Sequence, residues 1–430
     1  MPKYFSEEGE GRVMVETTLE PEFGNLEVQS IIEYIKSLGK GQIFQIRIGG
    51  SVVSSPLVHK GVVYFGACDS VFYAVERGKL AWKFETRAPV LSSPAAFDDK
   101  VCFGSYDHNL YALDLKGRLA WRFATGDMIF STPLVYRGRI YFGSRDKNLY
   151  ALDLKGRLAW KFPTFGPISS SAAAGNGIVY FGSNDGNVYA VDADTGKERW
   201  RFSTRGEVQS TPLLHQGKVY IGSLDSSLYV LDARTGKELW RFVTAGSVFS
   251  SPTISGSTVY FGSSDNNLYA VSIKTGKELW RHGTGNVVSS KPLLHKGAVY
   301  FGSCDCNFYA LDARTGRKLW VFPTKGIVIN RSFTAHKGVL YFGSYDCHLY
   351  AVDAKGKLVW RFPTSLSYQS AIDLEVSVKK ITEVVWKPPV ETKKKYREDE
   401  FVIADYGEFS GRYIDITKSD YLGRKKKGYM

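Results

Sequence analysis

A tryptophan returns eight times along this chain at nearly constant spacing: Trp82, Trp121, Trp160, Trp200, Trp240, Trp280, Trp320 and Trp360. Ahead of each stands a Phe-Gly or Ile-Gly pair, with its glycine at Gly66, Gly104, Gly143, Gly182, Gly222, Gly262, Gly302 and Gly343. Successive units are 38 to 41 residues long. A unit of that size cannot bury its apolar faces alone and must stack on its neighbours. Length alone, 430 residues, suggests two or three domains, but the repeat overrides that prior. Within a unit, Ser-Ser-Pro with an apolar pair reads as strand A, VYFGS as strand B, LYALD as strand C and LWRF as strand D. Period-two alternation runs through B, C and D, as half-buried strands require. Asp-Gly, Asp-Asn or Asp-Ser turns B into C, and Thr-Gly-Lys or Lys-Gly turns C into D.

Four-stranded antiparallel units set around an axis make a propeller, whose edges are short and protected. The expected fold is therefore all-β: an eight-bladed β-propeller over residues 42–370, with an N-terminal helix and a C-terminal extension. A hydrophobic content of 43% suits such a core. The flanks extend the pattern. Phe44 precedes Pro56 by the interval that separates Trp82 from Pro94, so GQIFQIRIG reads as a degenerate strand D. SYQSAIDLEVSV, after Thr364, reads as a spare strand A. One or both are expected to overlap at the seam between blades 8 and 1. Residues 1–41 form an acidic segment in which Val28, Ile31, Ile32, Ile35 and Leu38, stopped by Gly39, have the spacing of an amphipathic helix. Residues 371–430 combine Trp386, a Pro388-Pro389 break, the basic run Lys393–Lys395, an acidic run at 398–400 and two strand-like stretches, FVIADYGEF and GRYIDI. No fold is assigned to them; they are expected to wrap the propeller or dock elsewhere.

The run Ala190 to Trp200, with Ala first, Gly196 seventh and Trp last, resembles the tryptophan-docking motif of PQQ-type (quinoprotein) propeller repeats. It recurs in full at Ala270–Trp280 and Ala310–Trp320; blades 2, 3 and 8 lack the Thr and are one residue shorter. The resemblance covers about residues 42–364. It implies that all eight tryptophans, Trp82 through Trp360, pack between neighbouring blades. The same repeat is similar both to quinone-dependent dehydrogenases and to non-enzymatic scaffolds such as the outer-membrane assembly lipoprotein. The dehydrogenases need clustered oxygen ligands for Ca²⁺, an Asp base and often an adjacent Cys pair. Here no two cysteines adjoin and no acidic cluster interrupts the inner strands, so no cofactor, no metal and no catalytic residue is expected.

Four groups of residues compete for a function. Asp69, Asp107, Asp146, Asp185, Asp225, Asp265, Asp305 and Asp346 recur in every B–C turn. They read as local turn caps rather than metal ligands. Ser54, Ser92, Ser131, Ser170, Ser210, Ser250 and Ser290 share one position in strand A and are expected to line the central channel; no His–Asp pair stands by to activate them. Blade 8 carries Asn330 there. At the next position the small hydroxyls give way to Lys291 in blade 7 and Arg331 in blade 8. Lys291, Asn330 and Arg331 are thus the candidate anion site at the channel mouth, since Arg offers a planar two-point fork to oxyanions. Cys68, Cys304, Cys306 and Cys347, with His348, crowd the turns of blades 7, 8 and 1. A thiolate metal site there would need an unusual C-x-C spacing, and reduced thiols are the expectation. Cys102 replaces a strand-B Tyr and reads as core.

The chain carries 56 Lys and Arg against 43 Asp and Glu. Residues 1–50 carry 5 basic and 8 acidic side chains and residues 391–430 carry 10 and 8, so the excess belongs to the repeats. Arg87, Arg145, Lys147, Arg205 and Lys325 fall on loops at one end of the ring, and Lys60, Arg137, Lys296 and Lys337 at the other. Such faces attract nucleic acid or acidic proteins, although no nucleic-acid motif is present. The first residues lack a basic and apolar leader, no stretch is long and apolar enough to span a membrane, and five cysteines make no disulfide framework. The reading is a cytoplasmic, monomeric, non-catalytic propeller that scaffolds other proteins. The alternatives are a nucleic-acid-associated protein and a small-ligand binder or quinoprotein-type oxidoreductase at the channel mouth.

Overall fold

The computed structural model describes residues 50–330 and 332–364 with their side chains. It also describes the backbone of five strands outside that range: Arg12–Thr17, Gln45–Arg47, Ile372–Ser377, Glu383–Lys387 and Ile414–Asp415. Two compact units emerge, Gly50–Leu366 and a second formed by Met1–Gly49 with Ser367–Met430.

The first unit is an eight-bladed propeller of four-stranded antiparallel sheets, each in the order A-B-C-D. Blade 1 runs through Leu57–His59, Val62–Gly66, Val71–Glu76 and Lys79–Glu85. Blade 4 runs through Ala173–Gly175, Ile178–Gly182, Asn187–Asp192 and Glu198–Ser203, and blade 8 through Thr334–His336, Val339–Ser344, His348–Asp353 and Leu358–Pro363. Strand A is shorter than the repeat suggests. It begins after the proline, which has no N–H to give a ladder, and the preceding serines bond elsewhere. The A strands of adjacent blades approach one another, which makes A the innermost strand. B and C are buried almost throughout, whereas D alternates between exposed and half-buried positions.

The core lies between blades rather than within them. Tyr180, Val188 and Trp200 of blade 4 pack with Val219, Ile221 and Tyr229 of blade 5, and the same cluster recurs around the ring. Each strand-B glycine lets the next blade approach. A Cβ on Gly302 would lie 2.2 Å from the Val328 carbonyl oxygen, so no other residue fits there. The docking tryptophan works the same way. The Trp160 ring lies against Gly196 of the next blade, where a Cβ would come within 2.7 Å of it and φ is +70°. Its Nε1 donates to the Ala193 carbonyl at 3.1 Å. Matching bonds run from Trp82, Trp121, Trp200, Trp280 and Trp320 to the C–D turn of the following blade. Trp360 packs on Gly78 and carries the contact from blade 8 to blade 1.

Blade 6 departs from this pattern. Its turn has Ile273 where blades 4, 5 and 7 have Ala193, Ala233 and Ala313. The Trp240 ring of blade 5 packs against this turn more loosely, 3.2 Å from where a Cβ on Gly276 would lie. That ring meets Tyr220 at 76°, against 50° for Tyr180 and Trp200, and its Nε1 is buried with no hydrogen-bond partner among the described residues.

The seam corrects one expectation. Neither flanking segment adds a strand to a blade: blades 1 and 8 are each a single uninterrupted stretch of chain. Gln45–Arg47 instead pairs in parallel with Arg12–Thr17, and Ile372–Ser377 pairs with the same strand antiparallel. Glu383–Lys387 and Ile414–Asp415 complete that five-stranded sheet. The shared Phe–Pro interval had placed GQIFQIRIG in the ring, but interval alone does not specify a pairing partner. The helix expected at residues 24–38 and the stretch FVIADYGEF lie outside the described residues.

Candidate functional site

The turn aspartates hold the blades to one another as well as capping their own turns. Asp185 Oδ1 accepts the Asn187 N–H at 2.9 Å, which is the local cap. Its Oδ2 accepts the Tyr189 hydroxyl at 2.8 Å and the Phe165 N–H at 3.0 Å, the latter from the loop leaving blade 3. The loop bond repeats at Asp107, Asp146, Asp225, Asp265, Asp305 and Asp346, although at Asp346 the local cap through Oδ1 is missing among the described residues. Asp69 likewise accepts the Tyr73 hydroxyl. Burial, then the neighbouring carboxylate, pushes the hydroxyls of Tyr111, Tyr150, Tyr189, Tyr229, Tyr309 and Tyr350 above their ordinary range, and that of Tyr269 up to about 12. The loop bond is absent from the sequence reading. The recurring tyrosine four residues after each aspartate was the available sign that these carboxylates do more than cap a turn.

The strand-A serines do not face an open channel. They are buried, and their hydroxyls alternate between two tasks. Ser54 and Ser131 bond to the strand-B glycine of their own blade, as does Ser290, and Ser210 accepts the Gly222 N–H. Ser92, Ser170 and Ser250 donate instead to the carbonyl of the equivalent serine in the next blade. Asn330, fully buried, does both. Its Oδ1 accepts the Gly343 N–H at 3.1 Å, and its Nδ2 donates to the Val52, Val53 and Ser54 carbonyls at 3.0, 3.2 and 3.1 Å. The amide is thereby committed to joining blade 8 to blade 1. Arg331 lies outside the described residues.

Lys291 stands in the ring formed by the position after those serines. Around this ring the Ser55 N–H donates to Ser93 Oγ, Thr132 to Ser171 and Thr211 to Ser251. Lys291 offers no acceptor for such a bond. No hydrogen bond or ion pair joins its ammonium to another described residue, and burial depresses its pKa below the usual range. The residue as a whole remains partly accessible.

The remaining candidates are dispersed. Cys68, Cys102, Cys304 and Cys347 are buried and Cys306 is half-buried. Burial pushes the Cys347 thiol up to about 11 and the Cys102 thiol to about 12, so neither is a ready thiolate at neutral pH. Among the described residues no three His, Cys, Asp or Glu side chains gather as a metal site would require. His348 takes the place of the turn Asn found in blades 2, 3, 4, 6 and 7, with Nδ1 2.8 Å from the Asp346 carbonyl oxygen and 3.4 Å from its Oδ1. That carboxylate raises the His348 pKa. Of the nine loop cations, Arg145 is half-buried and the others are exposed; Arg137 approaches Asp194 at 3.9 Å. No helix among the described residues is long and apolar enough to cross a membrane.

The repeat geometry has counterparts among known proteins. The family model described as beta-alanine-activating enzyme, beta-propeller, matches residues 165–386, just over half of the chain. The chain belongs to that propeller family. A PQQ-repeat model described as outer membrane protein assembly factor BamB matches residues 69–167. No curated protein matches by sequence. Among solved structures, the computationally designed Ika8 protein is 19% identical over 70% of this chain and 96% of its own, with a TM-score of 0.63. BamB from Moraxella catarrhalis is 19% identical over 70% and 92%, with a TM-score of 0.59. Sqt1 from Saccharomyces cerevisiae is 15% identical over 69% and 94%, with a TM-score of 0.62. At these identities the three share the fold with this family member.

Proposed function

We propose that this chain is a non-catalytic propeller that scaffolds protein partners in the cytoplasm. The observation that carries the reading is where the recurring polar groups go. The turn aspartates, the strand-A serines and the tryptophan N–H groups bond chiefly to backbone within and between blades. What is left to meet other molecules is the variable loop chemistry: exposed Lys60, Arg87, Arg205, Lys296 and Lys325, and Phe165, whose side chain is 79% exposed. A rigid disc with variable loops suits recognition, and one matched family model is described as an assembly factor.

The basic faces favour a second reading, contact with nucleic acid, which would show affinity that falls steeply with salt. Affinity capture of the full-length chain from a lysate of its source, with and without nuclease and at low and high salt, separates the two. Discrete proteins that persist through nuclease and salt support the scaffold. Capture that vanishes with either treatment overturns it in favour of nucleic acid.

A further inference from the structure

We propose that the axial ring holding Lys291 binds a small oxyanion, a carboxylate or phosphate group, between the Lys291 ammonium and the hydroxyls of Ser55 and Ser251. This rests on the geometry of the axis and is independent of the scaffold reading.

Strand A is innermost, so the residues that lead into it surround the axis. Ser251 Oγ, in the blade before Lys291, already accepts the Thr211 N–H at 2.9 Å. Its own hydrogen therefore remains to be donated. Ser55 is 7% exposed, and its buried Oγ has no hydrogen-bond partner among the described residues. A buried hydroxyl without a partner is uncommon and calls for an unseen one. Lys291 adds three N–H donors and a charge, and no described carboxylate answers it. An enclosed ammonium without a counter-charge is costly. Three groups able to donate thus belong to one inner ring, and no carboxylate among the described residues matches the Lys291 charge. The ligand that complements such a set brings oxygens and negative charge. A cation or an amine would be repelled by Lys291, and an apolar molecule would leave every donor unmet. The desolvated setting also strengthens any charge-assisted bond formed there.

The test uses the full-length protein with inorganic phosphate and acetate as separate probes, each against sodium chloride at matched ionic strength. Thermal unfolding and titration calorimetry are the readouts. The expected result is a saturable rise in melting temperature with at least one oxyanion beyond that given by chloride. Acetate alone active identifies a carboxylate site, and phosphate alone a phosphate site. Lys291→Met should weaken binding at least tenfold while leaving the ligand-free melting temperature unchanged or higher, because it removes an uncompensated charge. Lys291→Arg should keep most of the affinity, and Ser55→Ala should reduce it severalfold. No saturable effect of either probe on the wild type overturns the proposal, as does an effect that survives Lys291→Met. Should Lys291→Met fail to fold, unchanged affinity in Ser55→Ala overturns the shared site.

Discussion

Asp185 ties together three parts of the molecule: its own turn, the Tyr189 hydroxyl and the loop leaving blade 3. Replacing it with Ala strands a buried phenol and two backbone donors. Asp185→Ala should cost about 2–4 kcal/mol by urea denaturation, with Asp185→Asn milder because one acceptor remains. Half of this role was legible. An aspartate before a B–C turn announces the local cap, but the distant partner is a backbone N–H, which carries no residue signature. His348 adds a pH term at the equivalent turn of blade 8. Its folded pKa is raised by Asp346. The stabilisation is complete below the unfolded value of about 6.5 and fades as pH rises through the folded one. Stability should therefore decline as pH rises above about 6.5, and His348→Asn should flatten that part of the profile.

Among elements, strands B, C and D were legible because the same short apolar runs recur in every unit and end in turn residues of fixed type, although only D alternates in burial. Strand A was only partly so: its serines look like channel lining, yet they are bonded to glycines and carbonyls that no local pattern announces. The flanking strands were misplaced for a related reason, since a repeat-like interval does not say which strand will accept the ladder. The docking tryptophans were legible from the motif, with one exception that only packing reveals. Trp240 lacks the carbonyl bond that six of its counterparts make. Trp200→Phe should cost about 1 kcal/mol more than Trp240→Phe, the difference being one hydrogen bond. Chemical denaturation of both variants measures it, and equal losses would contradict the account.

Over the whole molecule the ring closes without a strand shared between its first and last blades. Asn330 supplies much of what a shared strand would, through four bonds to backbone of blades 8 and 1. Asn330→Ala should destabilise the propeller by about 2–4 kcal/mol. Hydrogen exchange should then rise first in blades 8 and 1, whereas uniform loss across the ring would assign closure to other contacts. The serine bonds carry a further implication. They point inward to the same blade in blades 1, 3, 5 and 7, and onward to the next in blades 2, 4 and 6, with Asn330 doing both in blade 8. Through blades 1 to 7 the repeat in hydrogen bonding is therefore two blades long, although the repeat in sequence is one.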